Sequence, residues 1–204
     1  MRTHQKWLVA ALCIGVAGAL LSGRGTHDRG PGVLAPDIPH QSELAGPAPV
    51  LPDIAGMQLT PKARFAITAR VLSSETYRFD PLASLVPVDL ALGWGRMSDS
   101  DVLKDVAISQ SNRFYWWKVK EFPIPQREII ESSANMHLIP ADAGVDRLIR
   151  RARTGDVVRF EGFLVSVTDG KGGHWTSSMT RADSGAGACE LIYVESFSIE
   201  PPGA

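Results

Sequence analysis

The sequence predicts an α+β domain: a small, curled antiparallel sheet or partly open barrel with two or three short helices, preceded by an N-terminal hydrophobic helix and a disordered linker. Three observations carry this. Apolar residues alternate at Phe65, Ile67, Ala69 and Val71, and again at Val86, Val88, Leu90 and Leu92, the period of half-buried strands. A capped amphipathic helix, with Val145, Leu148, Ile149 and Ala152 on one side, stands between such strands. The composition is 44% hydrophobic and 21% charged, which suits a globular chain and excludes collagen-like, coiled-coil and disulfide-scaffold classes.

Residues 7–21 carry no charged or strongly polar side chain and follow Arg2, His4 and Lys6, the pattern of an export signal. A bilayer core of about 30 Å takes about 20 helical residues. The stretch 7–23 is slightly shorter and spans with local thinning or snorkelling of Lys6 and Arg24. Ala17 and Ala19 are the small residues that cleavage after Ala19 requires, while Leu20 and Leu21 continue the apolar run past that cut. An uncleaved anchor and a cleaved signal peptide both stand. The expected location is membrane-anchored with the C-terminal domain outside the cytoplasm, in a periplasm, or secreted if cleaved after Ala19. Leu12, before Cys13, departs from a lipobox.

Residues 24–61 read as a disordered, extended tether, because seven of the 14 prolines fall between 31 and 61 and no period is sustained there. One domain is expected over residues 62–200, with a short tail at 201–204. Cys189 is its single cysteine, so packing rather than an internal disulfide must hold it together.

Within the domain, Ser98 before Asp99 and Asp101 predicts the N-cap of a short helix through Val102, Leu103 and Val106. Residues 113–119, rich in aromatics, predict a third strand, which Pro123 and Pro125 end because neither donates to a ladder. Asp142 caps the amphipathic helix, and Thr154-Gly155 ends it. Residues 156–165 predict a long strand, polar on one face before Gly162 and apolar on both faces after it, so the glycine marks a bulge or bend. A glycine-rich turn at 169–173 leads to a strand at 174–180, and residues 191–199 form the last.

This order of strands, helix, bent strand opening Gly-Asp-Val-Val and continuing Gly-Phe-Leu, then final strand, resembles the OB-fold, a five-stranded Greek-key barrel. OB-folds usually keep the segment before the helix shorter than the stretch between Trp94 and Ala143 here. The runs Tyr115-Trp116-Trp117-Lys118-Val119, Ser133-Ala134-Asn135-Met136-His137-Leu138-Ile139-Pro140, Trp175-Thr176-Ser177-Ser178 and Gly187-Ala188-Cys189-Glu190 are similar to segments of uncharacterised bacterial exported or membrane-anchored proteins. That resemblance implies a location and no activity.

A formal charge of −1, from 21 basic and 22 acidic residues, gives no general attraction to nucleic acid or anionic lipid. His137, His174, Asp183 and Cys189 are of metal-ligand type, but no His-Glu-x-x-His or Cys-x-x-Cys spacing brings them together, and no metal or cofactor is expected. Ser177 or Ser178 with His137 and Asp183 supply the residue types of a hydrolase without a Gly-x-Ser-x-Gly elbow. Gly170-Lys171 and Gly185-x-Gly187 are more simply turns than phosphate loops. Arg147, Arg150, Arg151 and Arg153 with Tyr115, Trp116 and Trp117 would suit a single-stranded nucleic acid. Arginines in the last turns of a helix are, however, stabilised there by its dipole. The expectation is therefore a non-catalytic binding or assembly module of the cell envelope. Its candidate ligand- or partner-binding residues are Tyr115, Trp116, Trp117, His137, His174, Trp175, Arg147, Arg150 and Arg151. The expected partners are the membrane, through residues 7–23, and an envelope protein, with nucleic acid disfavoured.

Overall fold

The alternating apolar residues of 57–76 form one long strand whose inward side chains, Phe65, Ile67, Ala69 and Val71, are all buried. A computed structural model describes residues 27, 29–180 and 189–201. In chain order its strands and helices are β1 (His40–Ser42), β2 (Met57–Thr76), β3 (Val88–Gly93), a 3-10 turn (Gly95–Ser98), α1 (Ser100–Leu103), β4 (Val106–Ser111), β5 (Phe114–Val119), α2 (Gln126–Glu131), β6 (Ser133–Pro140), α3 (Ala143–Ile149), β7 (Val157–Asp169), β8 (His174–Thr176) and β9 (Glu190–Ile199).

The main sheet runs β1-β2-β3-β6-β9-β7-β8 and curls until β7 also pairs with β2. Five strands thus return on themselves in the order β2-β3-β6-β9-β7-β2, antiparallel except for β6 against β9. The mostly β architecture with three short helices accords with the α+β class. Such curvature needs breaks in the ladder. β2 shifts register against β7 between Pro61 and Ala63, where a residue without an N–H costs least. β7 shifts against β9 between Glu161 and Gly162. A Cβ at Gly162 would overlap the Tyr193 carbonyl oxygen, so only glycine admits the neighbouring strand at the predicted bend.

The barrel interior is filled by Phe65, Leu90, Met136, Leu138, Phe160, Leu164 and Ile192, and Val145, Ile149 and Ala152 from α3 and the residues after it pack against this core. Asp142 caps α3, its Oδ1 accepting from the N–H groups of Gly144 at 2.6 Å and Val145 at 2.9 Å. A second cluster, including Leu85, Ile139, Val165, Leu191 and Tyr193, covers the outer side of β6, β7 and β9. A third lies beneath β4 and β5, which pair only with each other among the described residues and lay their inner face on Leu72 and Ala91.

Four expectations are corrected. The described part of 24–61 is held to the domain and is not a free tether: β1 pairs with β2, and Ala35 is buried. The N–H groups of Leu34 and Ala35 both donate to Ser98 Oγ at 3.0 Å. Prolines remove donors but do not prevent a chain from lying along a surface whose acceptors face it. Second, β2 starts at Met57, ahead of the expected boundary at residue 62. Third, Ser98 is not the cap of α1; its hydroxyl serves residues 34 and 35, and Asp99 takes the role by accepting from Asp101 N. Fourth, Val106 opens β4 instead of continuing the helix.

No helix among the described residues is long and apolar enough to cross a membrane. The apolar stretch 7–23, its cleavage site and Asp183 lie outside the described residues.

Candidate functional site

The aromatic run from Phe114 to Trp117 is a strand, and alternation divides it between two environments. Ser111 pairs with Phe114 across a two-residue turn, Asn112-Arg113, in which both φ angles are positive, 51° and 66°. Such a turn matches the twist of the flanking strands. Tyr115, Trp117 and Val119 consequently face inward with Val106 and Ile108, and the Tyr115 hydroxyl lies 3.2 Å from Ser133 Oγ. Burial pushes the Tyr115 phenol up to about 12. On the opposite face, Phe114 is 41% and Trp116 55% exposed, their rings 6.0 Å apart. Phe122, just past the strand, is 52% exposed and meets the edge of Trp117 at 6.3 Å. The expected trio is thus split: Trp116 is available to a partner, while Tyr115 and Trp117 hold the hairpin to the barrel.

The tip of this hairpin is fixed by a charged junction. The Arg113 guanidinium is 2.7 Å from Asp80 Oδ1 and 3.3 Å from the fully buried Asp89 Oδ1, and it sits 4.0 Å above the Tyr77 ring. It also donates to the Val86 carbonyl at 3.2 Å. The hydrogen bond from Arg113 holds the Asp80 carboxyl below its ordinary value. The Tyr77 hydroxyl lies 3.0 Å from Asp89 Oδ2 and 2.9 Å from Glu75 Oε2. Burial, and then the Asp89 charge, raise its pKa strongly, so Tyr77 stays a proton donor to these carboxylates. Gln110 donates to Asn135 Oδ1 at 2.7 Å, and Asn135 donates to the Arg113 carbonyl at 3.1 Å.

His137 belongs to the same junction. Its Nδ1 is 2.9 Å from Asp89 Oδ1, a close ion-pair distance without the angles of a hydrogen bond, and its ring stands against Trp175 at 4.7 Å. Trp175 and the exposed His174 also line a cleft of about 200 Å³ with Leu82, Leu85, Met57 and Asp169. His174 Nε2 pairs with Thr176 Oγ1 at 2.5 Å.

The catalytic and metal constellations weighed from sequence are not assembled among the described residues. No group of three or more His, Cys, Asp or Glu side chains is placed there to hold a metal ion. Ser177 Oγ donates to the Ser178 carbonyl and accepts from Leu191 N, and Ser178 Oγ donates to the Thr180 carbonyl, so both hydroxyls serve the backbone.

Arg147, Arg150 and Arg151 are exposed on α3 and the turn after it; α3 packs on β6 and β9, the hairpin on β2 and β6. Arg150 pairs with Asp146 at 2.9 Å.

Arg113, Asp80, Asp89, Tyr77, Phe114 and Phe122 were not among the sequence candidates. Two signals were available: Asn112 at a two-residue turn position, and period-two alternation from Phe114 to Val119, which separates Phe114 and Trp116 from Tyr115 and Trp117. No family model, curated protein or solved structure matches the chain.

Proposed function

We propose that this chain is a non-catalytic binding and assembly module of the cell envelope, membrane-tethered or exported, which engages a protein partner through the outer face of the β4–β5 hairpin. The observation that carries this is the pair of exposed neighbouring rings, Phe114 and Trp116, tilted 38° to each other on a hairpin whose inner face and tip are firmly anchored. Rigid aromatics lose little entropy on binding and dominate interface energetics.

We further infer an OB-like barrel. It is supported by five strands in the order first-second-third-fifth-fourth-first, with the third and fifth parallel and α3 between the third and fourth. In such barrels the second and third strands usually offer the oligonucleotide groove. Here the hairpin covers Ala91 on β3, and Gln110 bonds Asn135 on β6, which favours a protein partner over a nucleic acid.

A single-stranded nucleic acid is the second reading, because Lys104, Lys118 and Lys120 line an open cleft of about 810 Å³ beside Phe122. Asp105 and Glu121 line the same cleft and offset part of that charge.

The test is cross-linking of the full-length protein in its native membrane, followed by affinity purification and mass spectrometry. A protein recovered near stoichiometry and lost in Trp116→Ala supports the reading. Retention of every partner in that variant overturns it, and salt-sensitive oligonucleotide binding that depends on Trp116 favours the second reading.

A further inference from the structure

The chain before β1 is strapped across one end of the barrel. His27 N donates to the Thr154 carbonyl at 2.9 Å, and its ring pairs with Asp156. Arg29 Nε donates to the Gly155 carbonyl at 3.1 Å, and Gly32 N donates to Asp99 at 2.9 Å. Gly155, at φ 93°, passes so close that a Cβ there would overlap the His27 carbonyl oxygen. From Gly23, where the apolar sequence run ends, to His27 are only four residue steps, at most about 14 Å of chain.

The residues beside that docking point are basic. Arg147, Arg151 and Arg153 are exposed and form no ion pair with any described residue. The acids around them are engaged: Asp142 caps α3, Asp146 pairs with Arg150, and Asp156 takes His27 and the Arg153 N–H. Arg29 is turned into the protein and lies 4.0 Å from Asp156.

We propose that this arginine face, formed by α3 and the turn after it, rests on the bilayer and binds anionic lipid headgroups, holding the barrel close to the membrane in one orientation. The inference rests on the membrane-anchored form of the reading above. The short distance from the apolar run to the strap brings the arginines within range of the surface, where basic side chains gain from a negative lipid potential that decays over a Debye length.

The experiment is hydrogen exchange on the full chain, reconstituted in vesicles of phosphatidylcholine alone or with about one third phosphatidylglycerol. Flotation with both vesicle types, together with roughly tenfold slower exchange at residues 147–155 on the anionic vesicles alone, is the expected result. The slowing is expected to vanish in high salt and in the triple variant Arg147→Gln, Arg151→Gln, Arg153→Gln, whose thermal midpoint falls only slightly, since the three side chains are exposed and Arg147 alone stands in the last turn of α3. Gly155→Val, which displaces the strap, is expected to lose the slowing as well; its retention overturns the role of the strap. Equal exchange on both vesicles, with flotation intact, overturns the lipid contact and leaves the anchor standing. Failure to float overturns the anchor and this inference together. Stronger slowing by a single-stranded oligonucleotide than by phosphatidylglycerol, at physiological salt, overturns lipid in favour of nucleic acid.

Discussion

Arg113 occupies a left-handed backbone position, φ 66°, that costs a side-chain-bearing residue on the order of 1 kcal/mol. What holds it there is its grip on Asp80, Asp89 and the Tyr77 ring. Replacing it by Ala leaves Asp89 buried without its guanidinium, and a loss of about 3 kcal/mol in urea-denaturation stability is expected. Arg113→Gly relieves the backbone strain but not the unpaired charge, so it is expected to fall between Ala and the parent. Ionisation gives a second handle. Tyr115 titrates near 10 when unfolded and near 12 when folded, so below pH 10 both states hold the proton and its contribution is fully present. Between pH 10 and 12 the unfolded state releases the proton first, and stability falls. Tyr77, also raised, acts in the same direction. Urea midpoints measured across that window are expected to drop, with a shallower drop in Tyr115→Phe.

At the scale of elements, the two faces of the β4–β5 hairpin separate binding from stability. Trp116→Ala is expected to leave the unfolding midpoint within about 0.5 kcal/mol of the parent while abolishing partner recovery. Trp117→Ala removes a ring packed against the third cluster and is expected to cost about 2 to 3 kcal/mol. Denaturation of both variants, beside the purification experiment, checks the contrast. The same alternation explains what was legible in the sequence. β2, β3, β7 and β9 could be read because their apolar residues recur at period two or run together. β6 carries the same period in Ala134, Met136 and Leu138, but the burial of Ser133, Asn135 and His137 on its other face, beneath other segments, was not legible. β4 presents Ala107, Ser109 and Ser111 outward and has little apolar signal.

For the molecule as a whole, the strap and β1 make the folded unit longer than its apolar core suggests. A chain beginning at residue 62 lacks β1 and the part of β2 that pairs Met57 with Asp169 and Leu59 with Val167. It also lacks Ala35 and its bonds to Ser98. Such a chain is expected to be less stable by about 3 kcal/mol or more than one that starts before His27, as thermal unfolding of the two would show. The charged junction was invisible in sequence for a related reason. Its members, residues 75, 77, 80, 89, 113 and 137, are scattered along the chain and meet only when the hairpin folds back on β3 and β6.

The parallel pairing of β6 with β9 has a kinetic consequence. β9, the last of the described strands, is wedged between β6 and β7, and its far end pairs Ile199 with Val158. A chain that emerges N-terminus first cannot close this ring of strands until the ten-residue β9 has arrived. Closure then requires contacts between distant parts of the chain, a topology that folds slowly. During synthesis the ring of strands therefore stays open until β9 has emerged and can be inserted between β6 and β7.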